Sequence, residues 1–164
     1  MLHTAFIGLG SNLERPSSQL QRAFADIDSL PDTRLVAHSG LYRSAPVGYL
    51  DQPDFVNAVA QVVTGLSPQS LLQSLLQIEH DHGRERSFRN APRTLDLDVL
   101  LYDDLQLHEH GLTIPHPQMH LRAFVLQPLL EISPDCIIPG VGKAEMVLSA
   151  CQDQVLERLA DVAG

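Results

Sequence analysis

The chain contains no tryptophan, a single lysine (Lys143) and two cysteines, Cys136 and Cys151, among its 164 residues. Two cysteines cannot build a disulfide framework or a cysteine-rich zinc centre. Both are expected as reduced thiols, in keeping with a cytoplasmic protein. Positive charge is scarce: eleven Lys and Arg face twenty Asp and Glu, for a net charge of −9. That balance argues against a general nucleic-acid binder. No run approaches the ~18 apolar residues of a membrane helix, so no membrane partner is expected. The opening MLHTAFIGLGSN lacks the basic start and apolar stretch of a signal peptide. Common phosphate and metal signatures are missing too. Gly142-Lys143-Ala144 lacks the hydroxyl residue of a P-loop, and Gly8-Leu9-Gly10 is followed by Leu13 where a dinucleotide fingerprint needs Gly. No HExxH is present, and Pro115 and Pro117 disfavour a helix that would pair His116 with His120.

What is there is ordinary globular composition, 44% hydrophobic and 19% charged. At roughly 100–200 residues per domain, the chain is expected to be one domain, 1–164. Residues 4–9 predict a buried strand, and Pro16 opens a helix whose Leu20, Phe24, Ile27 and Leu30 recur at helical spacing. Strands are predicted over 33–44 and 54–64, joined by a loop long enough to be a binding loop. Ser67-Pro68 caps a second helix with a leucine stripe, closed near Gly83. TLDLDVLLY (94–102) alternates as a strand does, and 104–108 predicts an edge strand. A helix over 121–131, interrupted at Pro128, and a last amphipathic helix over 145–161 complete the chain. The order predicts an α+β fold, a ferredoxin-like βαββαβ sheet with added C-terminal helices.

Asp96 and Asp98 are two residues apart on one predicted strand, so they share a face with Cα atoms about 6.6 Å apart. Carboxylates that close repel unless water, arginine or a divalent cation neutralises them. A solvated outer sheet face is one reading. A Mg²⁺ site is the other, because oxygen ligands that leave room for water and phosphate suit that ion. Four of the ten arginines, Arg84, Arg86, Arg89 and Arg93, fall within ten residues just before this strand. Such a run is commonly a solvated loop. Beside a carboxylate pair, it is also what transfer of a phosphoryl group uses to neutralise charge. Asn57 lies amid apolar neighbours, and a buried amide there needs partners, which a ligand carrying an amide could supply.

Five segments, FIGLGSNL (6–13), LYRSAPVGYLDQPDFVNAV (41–59), IEHDHGRER (78–86), PRTLDLDVLLY (92–102) and IPHPQMHLRAFVLQPLLEISP (114–134), together resemble the 6-hydroxymethyl-7,8-dihydropterin pyrophosphokinase family of folate biosynthesis. The resemblance implies transfer of pyrophosphate from ATP to the pterin hydroxymethyl group, with release of AMP. It implies two Mg²⁺ ions on Asp96 and Asp98, and Arg84 and Arg93 as loop arginines that assist the transfer. Glu79, Arg86, Arg89, Val99, Thr113, His116 and Arg122 match or neighbour its ATP-binding positions. Ser44, Ala45, Val47, Phe55, Asn57 and Phe124 match its pterin site, with the two phenylalanines stacking on the ring. A monomer is expected. Many members carry Trp-Gly where this chain has Asn90-Ala91, and Tyr is common at the position of Phe55. Two other readings remain at this point: a ferredoxin-like ligand-sensing module without catalysis, and a nucleotidyl transferase using the same Asp-x-Asp strand.

Overall fold

The computed structural model describes residues 2–12, 15–44, 54–82, 95–151 and 154–159. The chain begins with β1 (His3–Ser11), longer than the predicted 4–9, and α1 (Pro16–Asp28). The predicted strand 33–44 is broken into β2 (Thr33–His38) and β3 (Tyr42–Ser44), both of which pair with β4 (Phe55–Thr64). Then come α2 (Pro68–Asp81) and β5 (Asp96–Tyr102). Short strands β6 (Leu107–Glu109) and β7 (Leu112–Ile114) pair with each other, not with the main sheet. The predicted edge strand at 104–108 is therefore a small separate hairpin, turned at Gly111 with φ +81°.

A 3-10 turn at Met119–Leu121 leads into α3 (Ala123–Ile132). Pro128 lies inside α3 without ending it, against the predicted interruption. Arg122 and the two residues after it form the start of the helix, so Pro128 falls where α3 is already established and packed against the sheet. After α3 follow β8 (Ile137–Ile138), β9 (Gly142–Lys143), α4 (Ala144–Ser149) and β10 (Glu157–Arg158). The predicted helix over 145–161 is thus corrected: among its described residues only the first turn and a half is helical, and Glu157–Arg158 is a strand. The gain is backbone pairing on an open sheet edge, with Glu157 opposite Arg43 and Arg158 opposite Tyr42. An exposed helix turn would offer no such partner.

The main sheet runs β10-β3-β4-β1-β5 with every pair antiparallel. Its two faces are separated by strand alternation. On one face Ala5, Ile7 and Leu9 of β1 and Leu97 and Val99 of β5 meet Leu20, Phe24 and Ile27 of α1 and Leu71, Leu75 and Ile78 of α2. On the other, Phe6, Val59 and Leu100 meet Met119, Val125, Leu126 and Leu129 of the 3-10 turn and α3. Each fully buried leucine or isoleucine is worth about 1.5–3 kcal/mol. Helix starts follow their sequence signals: Pro16 sits at the first turn of α1, and Ser67 accepts a hydrogen bond from Ser70 N–H at 3.1 Å ahead of Pro68.

One irregularity positions the site. Phe6 pairs with Leu101 and Ile7 with Val99, so Leu100 is an extra residue in β5. This bulge lets Leu100 and Leu101 both enter the second core, and the Leu100 carbonyl accepts His116 N–H at 2.9 Å.

Candidate active site

Strand period decides what faces what. Leu95 just before β5, and Leu97 and Val99 in it, are buried, while Asp96 and Asp98 between them are half-exposed. The pair therefore points away from the α1/α2 core, as the sequence predicts, and into neither bulk solvent nor the interior. Across the ladder, Asp96 lies opposite Gly10 and Asp98 opposite Gly8. The missing side chain at Gly8 makes room for Leu100, whose side chain a Cβ there would meet at 3.2 Å. Gly10 also lies opposite Asn57 of β4. A Cβ there would approach Asn57 Oδ1 to 3.2 Å, so only glycine admits the amide without a shift.

Asn57 is 4% exposed. Its Nδ2 donates to Ser44 Oγ at 2.7 Å, which satisfies one buried donor and turns Oδ1 toward Gly10. Ser44 ends β3 directly opposite half-buried Phe55. Ser11 and Asn12, at the end of β1, are buried polar residues beside them. Sequence reasoning matched Ser44 to the pterin site without its bond to Asn57 and left Gly8, Gly10, Ser11 and Asn12 out. The findable signal was the matching i, i+2 spacing of Gly8-Leu9-Gly10 and Asp96-Leu97-Asp98.

Glu79, in the last turn of α2, is 2% exposed and accepts Leu97 N–H at 2.6 Å. Among the described residues β5 ends the sheet, so this carboxylate serves a main-chain donor that no described strand reaches. It grips the backbone between the two aspartates.

From the other side comes the segment after β7. His116 Nδ1 accepts Gln118 N–H at 3.1 Å, which puts the ring proton on Nε2 in the neutral form. That Nε2 stands 4.0 Å from Asp98 Oδ2. Burial, with Arg122 adding to it and Asp96 opposing it, pushes the His116 pKa down to about 4, so the ring is neutral at pH 7. It faces Asp98 as an N–H donor and not as a cation. The Arg122 guanidinium lies 5.5 Å from the centre of the Phe124 ring. Thus Asp96, Asp98, His116, Arg122 and half-buried Phe124 gather at one end of the sheet face that also carries Asn57 and Phe55.

Thr113 is on β7, opposite His108, and half-buried. The Val99 side chain does not share the face of the aspartates. That side chain is in the α1/α2 core because alternation sends it away from the aspartates. Arg84, Arg86, Arg89, Arg93, Ala45 and Val47 lie outside the described residues. Among the described residues no three His, Cys, Asp or Glu side chains converge on one point. The described donors to a cation are therefore the two Asp carboxylates. Their all-oxygen chemistry and partial exposure fit Mg²⁺, which takes one or two carboxylates and completes its shell with water and phosphate oxygens. No helix among the described residues is long and apolar enough to cross a membrane.

An antiparallel sheet with paired carboxylates on one face, and a neutral imidazole and a guanidinium brought beside them by the segment after β7, defines an α+β protein. Comparison with known proteins narrows this. Residues 6–134 match the 7,8-dihydro-6-hydroxymethylpterin-pyrophosphokinase family, and the chain belongs to it. It is 46% identical over 159 residues to the 2-amino-4-hydroxy-6-hydroxymethyldihydropteridine pyrophosphokinase of Pseudomonas aeruginosa, covering 97% of this chain and 98% of that one. To the protein of the same name from Haemophilus influenzae it is 51% identical over 137 residues, covering 84% and 86%. Among solved structures, wild-type HPPK-DHPS of Plasmodium falciparum with pteroate superposes with a TM-score of 0.72 at 14% identity, over 92% of this chain and 42% of that one. The chain thus spans less than half of that protein, and the likeness is one of fold.

Proposed function

We propose that this chain transfers the pyrophosphoryl group of ATP to the hydroxymethyl oxygen of 6-hydroxymethyl-7,8-dihydropterin, releasing AMP, as a step of folate biosynthesis. The observation that carries the reading is the Asp96/Asp98 pair, held on one sheet face with Asn57, His116 and Arg122 in a chain of this family. We read the sheet as a ferredoxin-like split βαβ, acting as one cytoplasmic, monomeric domain.

Asp96 and Asp98 would hold Mg²⁺ brought in with ATP, two ions in all. When bound, the metal neutralises phosphate charge and fixes the attacking and leaving oxygens in line. The chain's own residues do the rest. Asn57 presents Oδ1 to donors on the pterin's polar edge, and Ser44 holds that amide in register. Phe55 and Phe124 offer faces for offset stacking on the ring. Arg122 and neutral His116 donate to phosphate oxygens, and Arg84, Arg86, Arg89 and Arg93 add guanidinium donors from the segment before β5. Ala45, Val47 and the main chain of Val99, with Thr113, complete the pterin and nucleotide contacts. Glu79 keeps β5 in place beneath them.

The pterin hydroxyl oxygen bonds to the β-phosphorus while the bond from that phosphorus to the α,β-bridging oxygen breaks; AMP leaves with that oxygen, and the hydroxyl proton passes to water. Phosphoryl transfer of this loose kind asks mainly for alignment and charge neutralisation, so no dedicated base is assigned.

The test is to incubate the protein with ATP and the pterin, with Mg²⁺ or with excess chelator, and separate the nucleotides. AMP is expected with Mg²⁺ alone. Asp96→Ala and Asp98→Ala should each lower turnover by several orders of magnitude while leaving the far-ultraviolet dichroism unchanged. Release of inorganic pyrophosphate in place of AMP, or near-parental turnover in both variants, would overturn the reading.

A further inference from the structure

Between the 3-10 turn and α3 the backbone is extended for one residue, Arg122, at φ −124° and ψ 107°. In an extended residue the preceding carbonyl and the following N–H point to the same side, as along a strand edge. Both are taken by one distant side chain. Gln154 Oε1 accepts Ala123 N–H at 2.8 Å, and Gln154 Nε2 donates to the Leu121 carbonyl at 2.7 Å. The primary amide imitates the peptide group of a neighbouring strand, and its two partners fix which end is oxygen.

Nothing local does this work, because α3 starts with no side-chain cap of its own. Its first N–H groups are among those an α-helix leaves unpaired. Gln154 is itself held: its N–H donates to the Cys151 carbonyl at 3.0 Å, and five residues on, Leu159 N–H donates to Leu41 at 2.8 Å where β10 lies on β3. The C-terminal segment, in which the sequence offers no functional motif, thus reaches the start of α3, where Arg122 and Phe124 stand.

We propose that Gln154 is a positioning residue: by pairing with the backbone on both sides of Arg122, it sets where that guanidinium stands over the sheet face carrying Asp96 and Asp98. The inference rests on the assignment of Arg122 to the nucleotide's phosphates made above. Gln154 touches no substrate, and its effect passes through Arg122.

The experiment is calorimetric titration of the full chain with a non-hydrolysable ATP analogue and Mg²⁺. It compares the parent with Gln154→Ala, Gln154→Glu, Arg122→Ala and the double variant Gln154→Ala/Arg122→Ala. Thermal melts run alongside. Gln154→Ala should weaken binding about three- to tenfold, the scale of one or two neutral hydrogen bonds. Gln154→Glu keeps the acceptor and loses the donor, and should give an intermediate loss even if the alanine variant melts early. In the Arg122→Ala background, Gln154→Ala should cost nothing further. Additive losses in the double variant would mean a general structural role and overturn the proposal. A loss in Arg122→Ala with none in either Gln154 variant overturns the inference alone. Unchanged binding in Arg122→Ala overturns the phosphate assignment and the inference with it.

Discussion

Replacing Glu79 by alanine should weaken both the fold and the proposed cation site, because one buried carboxylate holds the backbone of β5. Its Oε2 accepts Leu97 N–H at 2.6 Å, at a residue 2% exposed. A hydrogen bond to a charged group contributes about 1.5–3 kcal/mol, and the alanine leaves Leu97 N–H buried without this acceptor. The one lost methylene adds about 0.8 kcal/mol. The expected destabilisation is therefore about 2–4 kcal/mol. This counts only the Leu97 contact, and the carboxylate makes others. At a urea slope of about 2 kcal/mol per molar, the unfolding midpoint should fall by about 1–2 M with the slope unchanged. Glu79→Gln keeps an acceptor oxygen and should lose only about 1 kcal/mol. Because Leu97 sits between Asp96 and Asp98, Glu79→Ala should also weaken Mg²⁺-dependent nucleotide binding several-fold in the absence of urea. A midpoint within about 0.3 M of the parent in the alanine variant would refute the reasoning. It would mean that pairing with β1 alone holds β5.

Two further outcomes follow from other parts of the sheet. Asn57→Ala should weaken pterin binding about tenfold or more while leaving the affinity for the ATP analogue within about twofold, as expected for a lost buried amide contact; equal weakening of both ligands in calorimetry would point to a damaged fold instead. The Tyr42 hydroxyl donates to Glu131 Oε1 at 2.6 Å, and burial, with that carboxylate adding to it, pushes its pKa up to about 12. The native state therefore keeps the phenol proton that the unfolded chain loses near pH 10, so this contribution is present below pH 10 and lost as pH rises toward 12. After allowance for solvent around partly exposed Glu131, it amounts to about 1–2 kcal/mol. Tyr42→Phe should flatten that part of the stability curve in alkaline urea titrations, and an unchanged slope would count against the contact.

Much of the site was legible because it depends on strand period. Asp96 and Asp98 are two residues apart, so any strand through them puts them on one face, and the buried Leu97 between them fixes which face. Asn57 was legible as an amide among apolar neighbours. For Val99, matching a position to a family says nothing about which atoms of the residue face a ligand; the alternation that exposes the aspartates buries this side chain. The C-terminal segment failed for another reason. Its apolar spacing suits a helix, but the edge of β3 lies more than a hundred residues earlier in the chain, and no local pattern announces that a strand edge is open. Gln154 is invisible on the same grounds, since its role depends on a backbone kink at Arg122. Pro128 misled in the opposite direction, because packing of α3 outweighs one missing N–H.

The end position of β5 also bears on how the molecule avoids sticking to its own kind. A terminal strand offers unpaired amides to any extended chain that drifts past, and this is a common start for aggregation. Here the Glu79 carboxylate already occupies the Leu97 amide, and two like charges stand on the strand beside it. A second copy's β5 laid alongside would bring four acidic groups together. The side chains suited to gripping a cation thus also guard the flank of the sheet, and mutating them for mechanistic study should be accompanied by a check of solubility.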